Sequence, residues 1–314
     1  DVKVIARAFQ SLFLLATEND PEGAMARQEI LDKGGMETMI LSLWHHMQSS
    51  IIILALFQAL WAISTDETDN SDVAISQLQE TRALEGLLFA MQTHDTDMSI
   101  QESGCDLITR MTGLLPFDSP EFKSAVLLLA GNIKNMDTNF KAYSSCLDAL
   151  NSLCQLSDEN KVAFAKAGSD CHDSIIRGMT SSELETRELS CELFWCVTAN
   201  RAATSSLSSD GQITKKIMDA LEGVSRTKAS VHFYGASCGT LANLALDASN
   251  HSLMIDLPTV QVLCESIYVY DSEGVNSAAC TALANLSASK DIRNEIVSQG
   301  GIPALFSAMK ACSN

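Results

Sequence analysis

The residues of this 314-residue chain that could do chemistry are its histidines, its cysteines, an acidic loop and two glycine pairs. His45 and His46 are adjacent. At 3.6 residues per turn, neighbours on a helix diverge by roughly 100°, so these two cannot close on one metal ion. His94, His172, His232 and His251 are scattered. The loop TDETDNSD (65–72) has the acidity of a calcium site. Counted as an EF-hand from Asp66, it places Ser71 where glycine is required and Gln77 where glutamate is required, so it reads as a solvated insertion. Gly34-Gly35 and Gly300-Gly301 could begin phosphate loops, but no Gly-Lys-Ser/Thr follows either pair, and they read as helix stops. HExxH, GxSxG and Walker patterns are absent. A Cys–His nucleophile pair that meets only in space leaves no spacing signature, and that alternative stays open. The expectation is a chain with no catalytic residues, no metal site and no cofactor.

All ten cysteines lie after residue 104, without a CxxC pair. Several sit inside apolar helical pattern, as in SGCDLI, SCLDAL and AACTAL, where free cysteine serves as a small buried hydrophobe. That usage implies a reducing compartment, the cytoplasm with the nucleus as the alternative. The balance of 39 acidic and 21 basic side chains gives −18, which repels nucleic acid and anionic lipid and suits a basic partner. The longest apolar runs, such as 51–57 and 125–130, are too short to span a bilayer.

These side chains need elements to hold them, and the elements repeat. The stretch TALANLSASKDIRNEIVSQGGIPALFSAMK (281–310) reads as helix, turn, short helix, Gly-Gly break and helix. Slid backward, its first helix aligns at Asn285, Asn243, Trp195, Ser152, Arg110, Ala62 and Leu14, at spacings of about 42 to 48 residues. Two residues before each lies Leu12, Leu60, Ile108, Leu150, Leu193, Leu241 or Leu283. Five before lie Phe9, Phe57, Cys105, Ser190, Cys238 and Cys280. Both rows have helical spacing and can face a core, so Cys105, Cys238 and Cys280 form one expected core position. A polar break and a short helix follow each long helix, as in 19–35, 157–168, 201–211 and 290–301. A second helix with its own apolar face comes next. The segment 119–136 lacks the glycine break, which points to HEAT-like irregularity there.

This three-helix unit resembles the armadillo family, most strongly in ANLSASKDIRNEIVSQGGIPALFSAMK and, in support, in TLANLALDASNHSLMIDLPTVQVL. The resemblance implies an all-α, right-handed superhelical solenoid of about seven three-helix repeats in a single domain, 1–314. The units fall at roughly 1–48, 49–96, 97–138, 139–181, 182–228, 229–272 and 273–314. The chain opens on a third helix and closes on a second helix, so further repeats or flanking domains are expected in the parent protein.

In such a stack the third helices line a concave face. In importin and catenin members an asparagine ladder there grips peptide backbone, and tryptophans one turn earlier form slots for basic side chains. Asn243 and Asn285 match the ladder. One turn earlier stand Gln10, Gln58, Asp106, Asp148, Cys191, Gly239 and Thr281, with no tryptophan among them, which argues against binding of nuclear-localisation signals. By spacing, Asp106, Arg110, Asp148 and Glu188 would face one another beside Trp195. Asn243 and Asn285 would follow among small residues that include Thr281. The expected function is a non-catalytic scaffold or adaptor binding a protein or an extended peptide in that groove. Two alternatives are an architectural or self-associating segment using Trp44 and Met47, and a regulatory solenoid of an enzyme whose catalytic domain lies elsewhere.

Overall fold

The computed structural model describes residues 1–17, 20–64, 73–74, 76–78, 81–112, 120–208, 212–223, 230–270 and 272–311. Among them every regular element is a helix. The loop 65–72 lies outside these residues. The α-helices are α1 (Val2–Thr17), α2 (Pro21–Asp32), α3 (Gly35–His45), α4 (Ser50–Ser64), α5 (Ala83–Thr93), α6 (Met98–Thr112), α7 (Pro120–Asn132) and α8 (Phe140–Leu156). They continue with α9 (Asp158–Ala165), α10 (Ser169–Gly178), α11 (Leu184–Thr198), α12 (Arg201–Ser208), α13 (Gln212–Gly223) and α14 (Val231–Leu244). The last are α15 (His251–Asp256), α16 (Thr259–Val269), α17 (Glu273–Leu286), α18 (Lys290–Ser298) and α19 (Gly301–Ala311).

The packing divides the chain into two compact units, Asp1–Leu156 and Ser157–Asn314. The boundary falls inside the 139–181 repeat expected from sequence, at Ser157. That residue caps α9 by accepting the Asn160 N–H at 3.1 Å. In the first unit the third helices α1, α4, α6 and α8 pack in succession, and so do the second helices α3, α5 and α7. In the second unit α11, α14 and α17 pack in succession. Beside them α10 pairs with α13, α16 with α19, and the short first helices α9 with α12 and α15 with α18. These helices thus cover their counterparts one period on, which is how a repeat hides an apolar face it cannot bury alone. Within the segment 119–136 the described residues form a single helix, α7, running into a 3-10 turn at Ile133–Met136.

The glycine stops expected from the sequence form, and α2 has a start signal that the spacing did not single out. Asp20 caps α2 by accepting the Gly23 N–H at 2.8 Å, with Pro21 in the first turn. Gly34 (φ 72°) and Gly300 (φ 79°) take the left-handed conformation between first and second helices. The second glycine of each pair is needed for a different reason. A Cβ on Gly35 would stand 2.6 Å from the Ile30 carbonyl oxygen, and one on Gly301 would stand 2.7 Å from that of Ile296.

The leucine row is buried from Leu60 to Leu283, but Leu12 is only half-buried, although Phe9 and Ala16 on the same face of α1 are buried. Cys105 and Cys238 are buried as expected, whereas Cys280 is half-buried. Nine cysteines lie among the described residues, none of them in a disulfide, and seven of them are buried. Burial pushes the Cys191 and Cys238 thiols up to about 12.

Polar side chains join successive repeats. Third helices end in carbonyls that have no partner within the helix. The next first helix, or the 3-10 turn that leads into it, supplies donors. Arg27 donates to the Ala16 carbonyl, Thr204 to that of Thr198 (2.7 Å) and Asn250 to that of Leu244 (2.8 Å). Among the described residues no single helix is long and apolar enough to cross a membrane, and no three metal-ligating side chains cluster.

Candidate partner-binding face

The eight candidate residues divide between the two units. Asp106 and Arg110 stand on α6 and Asp148 on α8 in the first. Glu188, Trp195, Asn243, Thr281 and Asn285 stand on α11, α14 and α17 in the second.

On the first unit, Asp106 and Arg110 are half-buried and Asp148 is exposed. One ion pair across the α6–α8 seam joins residues outside the candidate set: Lys141 Nζ lies 2.5 Å from Glu102 Oε1. Burial raises the Asp106 carboxyl above the usual range and Glu102 adds to this, while a hydrogen bond from Ser145 and the Lys141 charge oppose it. The ladder register also fails at α4. Ala62 is wholly buried because that helix, SIIILALFQALWAIS, is apolar nearly all round and packs on α1, α3 and α6. Its neighbour Trp61 takes the outward place at 36% exposure.

On the second unit the seams are tighter than spacing suggested. Glu188 does not stand free to meet a partner's charge. It accepts a hydrogen bond from the Ser230 hydroxyl, which also caps α14 by accepting the Phe233 N–H at 3.0 Å. One turn on, His232 Nε2 lies 3.6 Å from Glu192 Oε2. Trp195 is 43% exposed, so it is not core. Its indole lies over Gly239 of α14, where a Cβ would come within 2.7 Å of its Cδ1. The cross-seam partners Lys141 and Ser230 were missed, and Gly239 was placed in the groove but not under Trp195. A glycine inside an otherwise helical pattern was the available signal for the last.

The ladder asparagines hold the stack together. Asn243 Nδ2 donates to the Thr198 hydroxyl (3.2 Å) and the Trp195 carbonyl (3.4 Å), both on α11. Asn285 Nδ2 donates to the Ala242 carbonyl on α14 (2.9 Å). Both residues are half-buried, and each bond crosses one repeat. Thr281 is exposed and spends its hydroxyl on the Ser277 carbonyl of its own helix (2.8 Å). The Asn243 and Asn285 Oδ1 atoms receive no donor from the described residues.

No protein-family profile matches the chain, and no curated protein does. Solved structures do. One engineered protein superposes with a TM-score of 0.72 at 19% identity, over 99% of this chain and 80% of its own. The chain has a helical-repeat fold. A second engineered protein gives 0.61 at 19% identity, over 81% of this chain and 99% of its own. A third structure comes from work on a phosphorylation switch that controls the interaction between cadherin and beta-catenin. It gives 0.73 at 16% identity, covering 98% of this chain and 57% of that one.

Proposed function

We propose that the protein is an armadillo-type, non-catalytic scaffold that binds an extended peptide along the third-helix face of its second unit. The observation that carries this reading is the state of Asn243 and Asn285. Each amide is pinned by its nitrogen to the preceding repeat, and its oxygen accepts no donor among the described residues, on a half-exposed face. An extended peptide offers N–H groups to such oxygens. Each bond contributes about 0.5–1.5 kcal/mol net, so two alone fall well short of the roughly 8 kcal/mol of a micromolar complex. The exposed Trp195 indole, backed by Gly239, is the apolar anchor that would supply the rest. The structural likeness to a protein studied for the cadherin and beta-catenin interaction supports a protein or peptide partner. The net charge of −18 favours a basic one. The buried cysteines, none of them in a disulfide among the described residues, support a reducing compartment, the cytoplasm.

Selection of random peptides against the protein tests the reading. Enriched peptides should weaken about tenfold or more on Trp195→Ala and on Asn243→Ala, with thermal melts confirming that both variants stay folded. Enriched peptides that bind the folded variants as tightly as the parent would remove this face from the argument.

A further inference from the structure

The second helices of the first unit share a register. In α3 the buried set is Met36, Met39, Ile40 and Leu43. In α5 it is Leu84, Leu87, Leu88 and Met91, and in α7 it is Phe122, Ala125, Val126 and Leu129. All three sets have the same helical spacing. The residue that follows the third member of each is apolar and exposed: Leu41 at 53%, Phe89 at 50% and Leu127 at 49%. Exposure does not come with the register. In α10 of the second unit, Ile176 at the same place is only 9% exposed. Trp44 borders the row at 41% exposure, its ring laid against Gly86, where a Cβ would stand 3.3 Å from Cε2 and Cζ2.

We propose that this row docks a basic amphipathic helix from a partner protein, laid across the three second helices. Packed helices stand about 8–10 Å apart, so equivalent residues on α3, α5 and α7 recur at roughly that interval. A helix rises about 1.5 Å per residue, and one heptad covers about 10.5 Å. Apolar residues in a heptad repeat therefore meet Leu41, Phe89 and Leu127 in turn. An extended strand covers the interval in about three residues and would turn alternate side chains away. The charge follows from the unit that carries the row. Its 156 residues hold 21 Asp and Glu against 9 Lys and Arg, which is −12 of the chain's −18. One turn before the row stand Glu37, Glu85 and Lys123, with Glu85 already paired to Arg82. The attraction therefore comes from the field of the unit and not from one contact. These residues lie on other helices than Trp195 and the asparagines, so the proposal stands or falls apart from the peptide reading.

The probe is a synthetic peptide of about three heptads with leucine at one position of each heptad and lysine on its flanks. Controls are the same composition with the leucines scrambled, and the same heptads with glutamate for lysine. Fluorescence anisotropy measures affinity, and circular dichroism measures the helicity gained on mixing. The lysine heptad peptide should gain helix and bind at least about tenfold tighter than either control. Phe89→Ser and Leu127→Ser, both surface changes, should each weaken it by about tenfold while leaving the thermal melt unchanged. Equal binding of heptad and scrambled peptides, or undiminished binding by the folded serine variants, overturns the proposal. So does a concentration-dependent mass in light scattering that Phe89→Ser abolishes, which would give the row to a second copy of this chain.

Discussion

Asp106 faces Ser145 and Lys141 across a seam between third helices, and its burial raises its pKa. A carboxyl with a raised pKa in the folded chain binds its proton more tightly there than in the unfolded chain. Its stabilising contribution is complete below the ordinary carboxylate range and is lost as pH rises through the folded value. Asp106→Asn removes the charge and keeps an oxygen for Ser145. The variant should therefore melt above the parent near neutral pH, with the gap closing as pH falls below the carboxylate range. Melts across pH check this, and a gap that stays constant with pH would show that the charge is not the cause. At the same scale, Asn243 and Asn285 show how one amide can serve two ends, its nitrogen holding the neighbouring repeat while its oxygen remains available.

Between first and second helices, the glycine pairs separate two backbone demands. Gly34 and Gly300 need only a left-handed φ, with open space around the missing Cβ. Alanine there should cost about 1–2 kcal/mol. Gly35 and Gly301 lie against backbone carbonyls that cannot swing aside. Gly301→Ala should therefore destabilise by more than Gly300→Ala, read as the difference in denaturant midpoints, and the reverse order would contradict this account. The helices, their order and these stops were legible in the sequence, because apolar spacing and glycine punctuation are local properties. The first helix, α1, shows the limit. Its two rows predicted Phe9 and Leu12 inward, and Phe9 is buried while Leu12 is only half covered. The candidate face was legible only as positions. Ala62 and Glu188 both had suitable types and spacing, yet α4 is enclosed by three helices and Glu188 is held by Ser230. Those outcomes depend on side chains some 40 residues away, which no local pattern encodes.

For the molecule as a whole, −18 is a field as well as a composition. Self-repulsion opposes the compact state, and salt of about 0.1 M screens exposed charges beyond about 10 Å. The melting temperature should rise from low salt to about 0.2 M NaCl, while affinity for any basic peptide falls. A melting temperature indifferent to salt would show that the excess charge is already compensated locally. The donors that reach back from Arg27, Thr204 and Asn250 to the end of the preceding third helix have a different consequence. At these three junctions one module seals the frayed tip of the one before it. A deletion that begins midway through a module leaves bare carbonyls behind, whereas one that removes first, second and third helices together brings the next sealing side chain into the same place. Viable shortenings of this protein should come in whole periods, with their seams just ahead of the short helices.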